Sequence, residues 1–552
     1  AMTSVRASGP ISHETPAERL FYLLKLDKQD LTVLVVYTIF TGLISLAVPL
    51  AAQALVNTIA AAIFIQPIVV LSLLVLVGLL LAGVLRMMQL SLVENLQQRI
   101  FARITMTLSE RIPSIKASAL DEEYMPELVN RFFDVVNVEK SWGKLLLEGP
   151  TALLQVFIGL ILMAFYSPVL LGFDIAIILF IFFAVKVLGI GGLKSSIRES
   201  VFKYRVAEWL EDMGRCQTSL KTNGVTDYLV KRSDGLVLNY LRARRAHFAV
   251  LFRQAFGTYF FQAIGSAGIL AIGGWLVINR QLTLGQLVAA ELVVLNVLSA
   301  LEKLIRNCGA FYSLLAGLDK IGHLSDLPIE RLGGVEIPQS EAGLDIRCLQ
   351  LRFSYASSNE IIKGLDLRIE AGQRASLVGA SGAGKTTIAS LICGLQEASH
   401  GTVEVCGYDI RDLDLKSLRK NVGFVGDINE IFEGTIEDNI GLGRPTVSHQ
   451  DIRWALDLAQ FSNDLVSMQD GIKTMLVSGG RNLSRGQVQR LLIARAVAER
   501  PRLLILDEAF TGIDERTKLK IIEQLFSTDK SWTVLDISHD AEVVMRSEIG
   551  RA

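Results

Sequence analysis

The 552-residue chain is predicted to be multidomain, with an all-α domain of six membrane spans followed by an α/β domain. Three observations predict this. Hydrophobic residues make up 51% of the chain and its mean hydropathy is +0.40, too apolar for a fully soluble protein. From Leu31 to Leu85 there is no Asp, Glu, Lys or Arg in 55 consecutive residues. Beyond about Leu324 no apolar run of span length recurs, and β-rich stretches alternate with helical ones. The composition excludes a disordered or collagen-like chain. Balanced charge, 55 Lys+Arg against 56 Asp+Glu, leaves no footprint for a nucleic-acid partner. The five cysteines are scattered without a CxxC, which argues against a zinc site or disulfide framework and fits reduced thiols.

Taken in order, residues 1–30 are polar and contain a short amphipathic entry helix, Pro16 to Lys25. Residues 31–322 form the membrane domain. A bilayer core takes about 20 apolar residues per helix, so the run from Leu31 holds two spans, with Gln66-Pro67 marking the turn. A second pair lies either side of Ser167-Pro168, and a third either side of Asn279-Arg280-Gln281. Lys186 to Arg253 carries 13 Lys/Arg against six Asp/Glu, while the short turns hold only Arg280. The long connections, about 86–144 and 186–253, are therefore expected on the cytoplasmic side as helices continuing out of the membrane. Glu291 and Asn296 fall inside the sixth span, and Glu291 is a candidate for the translocation path. Asp174 lies near the outer turn. Arg86 is expected at the cytoplasmic interface, where long cations snorkel, with no transport role. Residues 323–345 read as a linker and 346–552 as the α/β domain. Gly189-Ile-Gly-Gly192 has no strand before it and is dismissed as a nucleotide loop.

The chemistry lies in the α/β domain. Gly379, Ala380, Ser381, Gly382, Ala383, Gly384, Lys385 and Thr386 match GxxxxGK[ST] in full. An apolar strand precedes them, and an apolar helix continues from Thr387, the context this phosphate loop requires. The glycines let backbone N–H groups close around phosphate oxygens, and the helix N-terminus adds its positive end. Lys385 reaches the β/γ-phosphates and the Thr386 hydroxyl is a Mg²⁺ ligand. Leu503-Leu-Ile-Leu-Asp-Glu508 supplies a buried strand ending in two acids. There Asp507 serves Mg²⁺ and Glu508 polarises the attacking water.

Further motifs carry a family resemblance. Asn482-Leu-Ser-Arg-Gly-Gln487, Asp507-Glu508, Thr511-Gly-Ile-Asp514 and Ser538-His539 follow in the order of ATP-binding cassette transporters. The chain resembles a half-size exporter over nearly its whole length. The resemblance implies ATP with Mg²⁺, and a second copy of the chain to complete each site. It implies that Tyr355 stacks on adenine, and that Ser484, Gly486 and Gln487 contact ATP bound to the opposite subunit. Asp514 ends the loop after the acidic strand, and His539 is the switch histidine near the γ-phosphate. Leu220 to Gly224, and the stretch around Asp121 to Pro126, are similar to the coupling segments that link cassettes to spans. Leu284 to Ala289 resembles the type I secretion branch. With only about 30 residues before the first span, no peptidase domain is expected there.

Three positions depart from the pattern. Asp427 stands where the family places a glutamine that touches Mg²⁺, and its carboxylate is itself a hard-oxygen ligand. Arg485 replaces the glycine after Ser484, and Ser478 stands where a glutamate is frequent. The resemblance implies ATP hydrolysis driving efflux by a homodimer in a bacterial inner membrane, with cytoplasmic cassettes. A peptide or protein cargo is slightly favoured; a lipid or amphipathic-drug exporter or flippase is the alternative. An ATP-gated channel or regulator with an impaired cassette is the alternative of another class. A periplasmic adaptor is left open.

Overall fold

The computed structural model describes residues 15–60, 66–121, 129–355, 360–426, 430–538 and 540–551. They divide into two compact units. One takes the described residues within 1–113 and 124–327, the other those within 114–123 and 328–552.

Six helical segments of the first unit are long and apolar enough to cross a membrane: Lys28–Ile59, Ile68–Ser114, Arg131–Tyr166, Leu170–Leu188, Thr226–Ile278 and Leu284–Asp326. Local chemistry sets their ends. Thr15 and Glu18 form a capping box that starts the entry helix Pro16–Leu26, and Thr283 with Gln286 does the same for the last span. The first span breaks at Leu46, between helices Lys28–Ser45 and Ala47–Ala60. Pro49 accounts for the break, since its ring excludes a helical bond to Ser45. Helices end at Tyr166 and Ile278, beside the expected turns. The turn expected before Gln66 lies outside the described residues.

Hydroxyls in the spans bond back to their own helix, as Thr38 does to the Leu34 carbonyl at 2.8 Å and Thr258 to Gln254 at 2.8 Å. In hydrocarbon no water offers a substitute. Helix Leu284–Asp326 is the central element, with a nearly continuous buried face that includes Val293, Val297, Leu301 and Leu314. It meets helix Asp134–Tyr166 where a side chain on Gly159 would lie 2.2 Å from Val297, so glycine there permits the approach. Beyond the hydrocarbon the helices continue, as expected for the long connections. Thr226–Ile278 has 53 residues, about 80 Å at the helical rise. Ion pairs tie these extensions together: Arg103 with Asp27 at 3.2 Å, Lys203 with Asp134 at 3.1 Å and Arg244 with Glu199 at 2.7 Å. Gly189–Gly192 follows a π-helical turn, Ala184–Leu188, and is no phosphate loop.

The second unit is built on a parallel sheet. Its strands are β1 Ile346–Phe353, β2 Ile362–Ile369, β3 Arg374–Val378, β4 His400–Val405, β5 Tyr408–Asp409, β6 Val422–Val425, β7 Gly434–Thr435, β8 Met475–Leu476, β9 Leu503–Asp507, β10 Thr533–Ile537 and β11 Glu548–Arg551. The five-stranded sheet runs β11-β3-β10-β9-β6, all parallel. An antiparallel sheet, β2-β1-β4-β5, and the pair β7-β8 complete the set. Alternation along β9 serves two cores: Leu504 and Leu506 join Phe461, Leu491 and Val534, while Leu503 and Ile505 join Leu377, Ile388 and Leu535. Burial on both faces explains why this strand reads as an unbroken apolar run.

Residues 114–121 pack as part of this second unit. Ile115 bridges Ile329, Lys116 pairs with Glu397 at 2.9 Å, and Gln396 donates to Asp121 at 3.4 Å. The stretch expected around Asp121 to Pro126 thus begins on this unit, and its residues from 122 on lie outside the described ones. Leu220 to Asn223 lies in the exposed helix Gln217–Asn223, which ends at Gly224 in the left-handed region. The helix Leu284–Asp326 runs into the expected linker as far as Asp326, and β1 opens at Ile346.

Candidate nucleotide site

The parallel register gathers the carboxyl ends of β3, β9, β10 and β6 at one sheet edge: Ile537 pairs with Asp507, Asp536 with Ser376, and Val425 with Leu506. That edge is where open α/β sheets place ligands. The loop from Gly379 follows β3, and Asp507 with Glu508 closes β9.

After β3 the chain turns through Gly382 (φ 82°) and Gly384 (φ 86°) into helix Lys385–Ile392. These angles are ones that L side chains rarely adopt, and they aim loop N–H groups inward. The Lys385 ammonium is largely buried and donates to the carbonyls of Gly379 at 2.8 Å and Ala380 at 3.0 Å. It is thereby held across the loop, ready to exchange carbonyl oxygens for phosphate oxygens. Tyr355, beyond β1, lies beside the helix start, its hydroxyl 3.3 Å from the Thr387 hydroxyl and its ring edge-on to Phe353 at 4.9 Å.

Asp507 ends β9 with its carboxyl hydrogen-bonded to the Thr386 side chain. Burial pushes this carboxyl above the usual range, with the nearby Glu508 adding to the rise, while Thr386 and Lys385 pull it down. Two hard oxygen donors in contact, one of them a half-buried carboxylate, fit Mg²⁺. Thr386 and Asp507 would hold it, and when bound it would neutralise phosphate charge.

Glu508 is exposed at φ 51°, left-handed for a residue with a side chain. That conformation costs about 1–2 kcal/mol. Backbone bonds hold it: its N–H donates to Ile537 at 2.9 Å, and its carbonyl accepts from Thr511 N–H at 3.2 Å and the Gln489 amide at 3.3 Å. Strain sustained in this way projects the carboxylate from the edge, a placement that suits an acid directing water. The sequence marked Glu508 but gave no sign of its backbone.

The signature segment is assembled around a helix start. Ser484 caps helix Arg485–Val497 in a box with Gln487. The Gln487 amide also donates to Asp464 at 2.8 Å, and Asp464 receives Arg490 at 2.6 Å. Gln487 is thus committed to holding its own helix. A side chain on Gly486 would lie 2.6 Å from the Gly512 carbonyl, so the signature packs directly against the loop ending at Asp514. Exposed Arg485 lies against Gly512 on the same contact. Asp514 caps helix Glu515–Leu525 through Thr517 N–H at 3.0 Å, and its carboxyl is held below the usual range by the Thr517 side chain first and by that N–H second. Ser478 is exposed in a short turn, Ser478–Gly480. His539 and Asp427 lie outside the described residues; β10 and β6, which lead to them, end at the site edge.

One residue went unnoticed in the sequence. Asp536 is fully buried on β10, accepting from Ser538 at 2.8 Å and Ser376 at 3.3 Å. A lone acid inside an apolar strand was the available signal.

Comparison with known proteins agrees with this geometry. The ABC transporter family model matches residues 362–511, and the ABC transporter transmembrane region model matches 31–300. An uncharacterised ABC transporter ATP-binding protein of Sinorhizobium fredii is 34% identical over 51% of this chain and 48% of its own. The ATP-dependent lipid A-core flippase of Legionella pneumophila is 34% identical over 50% of this chain and 47% of its own. The chain spans about half the length of these curated relatives. A bacterial Atm1-family ABC exporter solved with ATP bound shares the fold, with a TM-score of 0.79 and 20% identity over 96% of this chain and 94% of its own.

Proposed function

Because the chain belongs to the ABC transporters, we propose that it is an ATP-driven exporter acting as a homodimer. The observation that carries this is the convergence of Lys385, Thr386, Asp507 and Glu508 on one sheet edge, in a chain that also has six helices fit to span a membrane. Lys385 holds the β/γ-phosphates, and Thr386 and Asp507 serve Mg²⁺. Glu508 orients the attacking water. Ser484 and Gly486 complete the site of a second copy, and Tyr355 stacks on adenine. His539 and Asp427 act near the γ-phosphate. The basic connection 186–253 supports cytoplasmic cassettes, here in a bacterial inner membrane.

An amphipathic cargo is the better-supported reading, since one of the relatives is named a lipid A-core flippase. The test is ATPase activity and vectorial transport by the full chain in vesicles. Glu508→Gln should lower turnover by about 10²–10⁴-fold while ATP still binds. Lys385→Ala should abolish ATP binding and transport together. Equal turnover in Glu508→Gln and the parent chain refutes the assigned base. Passive ATP-gated flux without turnover would replace the exporter by a channel.

A further inference from the structure

Asp536 breaks the pattern of its own strand. β10 is buried at every position from Thr533 to Ile537, where apolar side chains fit best. The acid has no exposed surface, and its Oδ1 has no partner among the described residues. A buried carboxyl short of donors costs stability, and such local violations gather at functional sites.

Its bonds lead to the site edge from two sides. Oδ2 accepts from Ser376 of β3 at 3.3 Å, two residues before that strand ends at Val378. Oδ2 also accepts from Ser538 at 2.8 Å, and the Ser538 hydroxyl in turn accepts from Asp540 N–H at 3.3 Å. Between Asp536 and Ser538 stands Ile537, whose carbonyl takes the Glu508 N–H at 2.9 Å. That bond is one of the three that keep Glu508 in its left-handed backbone. The Ile537 peptide is therefore held from two directions, by its pairing with Asp507 of β9 and by the Ser538–Asp536 bond.

We propose that Asp536 is a positioning residue for ATP hydrolysis: through Ser538 it holds the Ile537 carbonyl, and through that carbonyl the backbone of Glu508. The hold depends on charge. An ionised carboxylate binds its two hydroxyl donors by charge-assisted bonds, roughly twice as strong as neutral ones. Once protonated it is a neutral acceptor, and the hydroxyl it gains either competes for the serines or stays unpaired at Oδ1. Burial first raises this carboxyl, to about 7; Ser538 and Ser376 oppose the rise, and Asp540 and Asp507 add to it. These two charged groups face it from the turn beyond β10, where Lys518 of helix Glu515–Leu525 pairs with Asp540 at 2.6 Å, and from the end of β9. β3 and the turn at Ser547 contribute hydroxyls, Ser547 donating to Ser376 at 2.5 Å. The ionised, firmly held state fills as pH rises through about 7, so turnover gains a pH dependence in the neutral range. This rests on the reading of Glu508 as the group that directs water.

The test is steady-state ATPase activity of the full chain in nanodiscs between about pH 6 and 8. It is read as the ratio of parent to variant, so that titration of ATP and of other groups cancels. Asp536→Asn keeps the size and one acceptor oxygen but fixes the neutral state. The parent should exceed it in kcat by less than about twofold at pH 6 and by about fivefold at pH 8, with KM for ATP unchanged. The melting temperature should not fall, which separates lost positioning from lost fold. Ser538→Ala removes the link itself and should lose about as much at pH 8. In a Glu508→Gln background, Asp536→Asn should cost nothing further, because the group it positions is gone. A ratio that is the same at both pH values, or a change confined to KM, overturns the proposal. So does an undiminished further loss in a slow Glu508→Gln background. In those results the base assignment stands. Turnover of Glu508→Gln at the parent's rate would defeat that assignment, and this role would fall with it.

Discussion

Two buried asparagines, one in each unit, are treated in opposite ways. Asn439 of the cassette has no exposed surface and is satisfied on every side. Its amide donates to the carbonyls of Phe432 at 2.9 Å and Thr435 at 3.1 Å, and its oxygen accepts from Phe432 N–H at 3.2 Å and Arg495 at 2.8 Å. Asn307 of the membrane unit is nearly as buried, yet neither amide atom has a partner. The same contrast separates two cations, one in each unit. Lys385 is already seated on loop carbonyls, whereas Arg86 lines an open cleft without an acid. At these positions the cassette side chains are held by its own backbone, whereas Asn307 and Arg86 of the membrane unit are not.

The largest effect should come from breaking the satisfied side. Asn439→Leu would leave both the N–H and the carbonyl of Phe432 without their side-chain partner, and would take from Arg495 one of three acceptors, the carbonyls of Asn439 and Glu430 remaining. Burial lowers the Arg495 pKa, with Glu430 opposing the shift and Arg444 adding to it. The loss should be about 3 kcal/mol, counting two unsatisfied groups and one charge-assisted bond. Scanning calorimetry of the full chain should show the cassette transition fall by roughly 6–12 °C. A fall below about 2 °C would mean the network is ornamental and the contrast empty.

Asp536 sharpens the comparison because it breaks the rule within the cassette. One of its oxygens is satisfied by two serines, and the other has no partner among the described residues. Burial pushes its carboxyl up to about 7; Ser538 and Ser376 pull it down, and Asp540 and Asp507 push it further up. The folded chain therefore keeps a proton that the unfolded chain loses near pH 4. Its stability contribution falls as pH rises from about 4 to 7 and is level above that. Asp536→Asn should remove this slope and raise stability at pH 8 by about 1–2 kcal/mol. That is less than the roughly 4 kcal/mol the whole displacement represents, because the new amide also needs an acceptor. Melting curves at pH 5 through 8 decide it; parallel curves for the two chains would refute the buried titration.

The same contrast governs what could be read from the sequence. Phosphate binding uses consecutive residues, so Gly379 to Thr386 and Asp507-Glu508 were visible as motifs. The spans were visible because hydrocarbon demands uncharged runs of fixed length. Arg86, Gln155 and Asn296 share no local pattern, since only packing of three distant helices brings them to one cleft. The left-handed backbone of Glu508 was hidden for a similar reason: its bonds come from Ile537, Thr511 and Gln489 on other elements. Gln487 was legible as part of a signature, but its capping role needed the geometry of Ser484 and Asp464. The break at Leu46 was legible in principle, because Pro49 stands inside an otherwise continuous apolar run.

The smallest effect, and the most discriminating, should come from Asn307. Leucine there keeps the volume and removes two polar atoms that the chain leaves unpaired. If those atoms are unpaired in the assembled dimer as well, Asn307→Leu should be neutral or stabilising by about 0.5–1 kcal/mol, since it relieves a desolvation cost and deletes no bond. Thermal stability in nanodiscs measures it, at a site where a loss of about 1–3 kcal/mol would mean that a bond had been deleted. Such a loss would show that a second copy, water or cargo satisfies Asn307. The contrast with Asn439 would then be one of where the partner comes from: the backbone of the same fold in the cassette, another molecule in the spans. A neutral result would instead mean that the packing around Asn307 itself carries the desolvation cost of its unpaired amide.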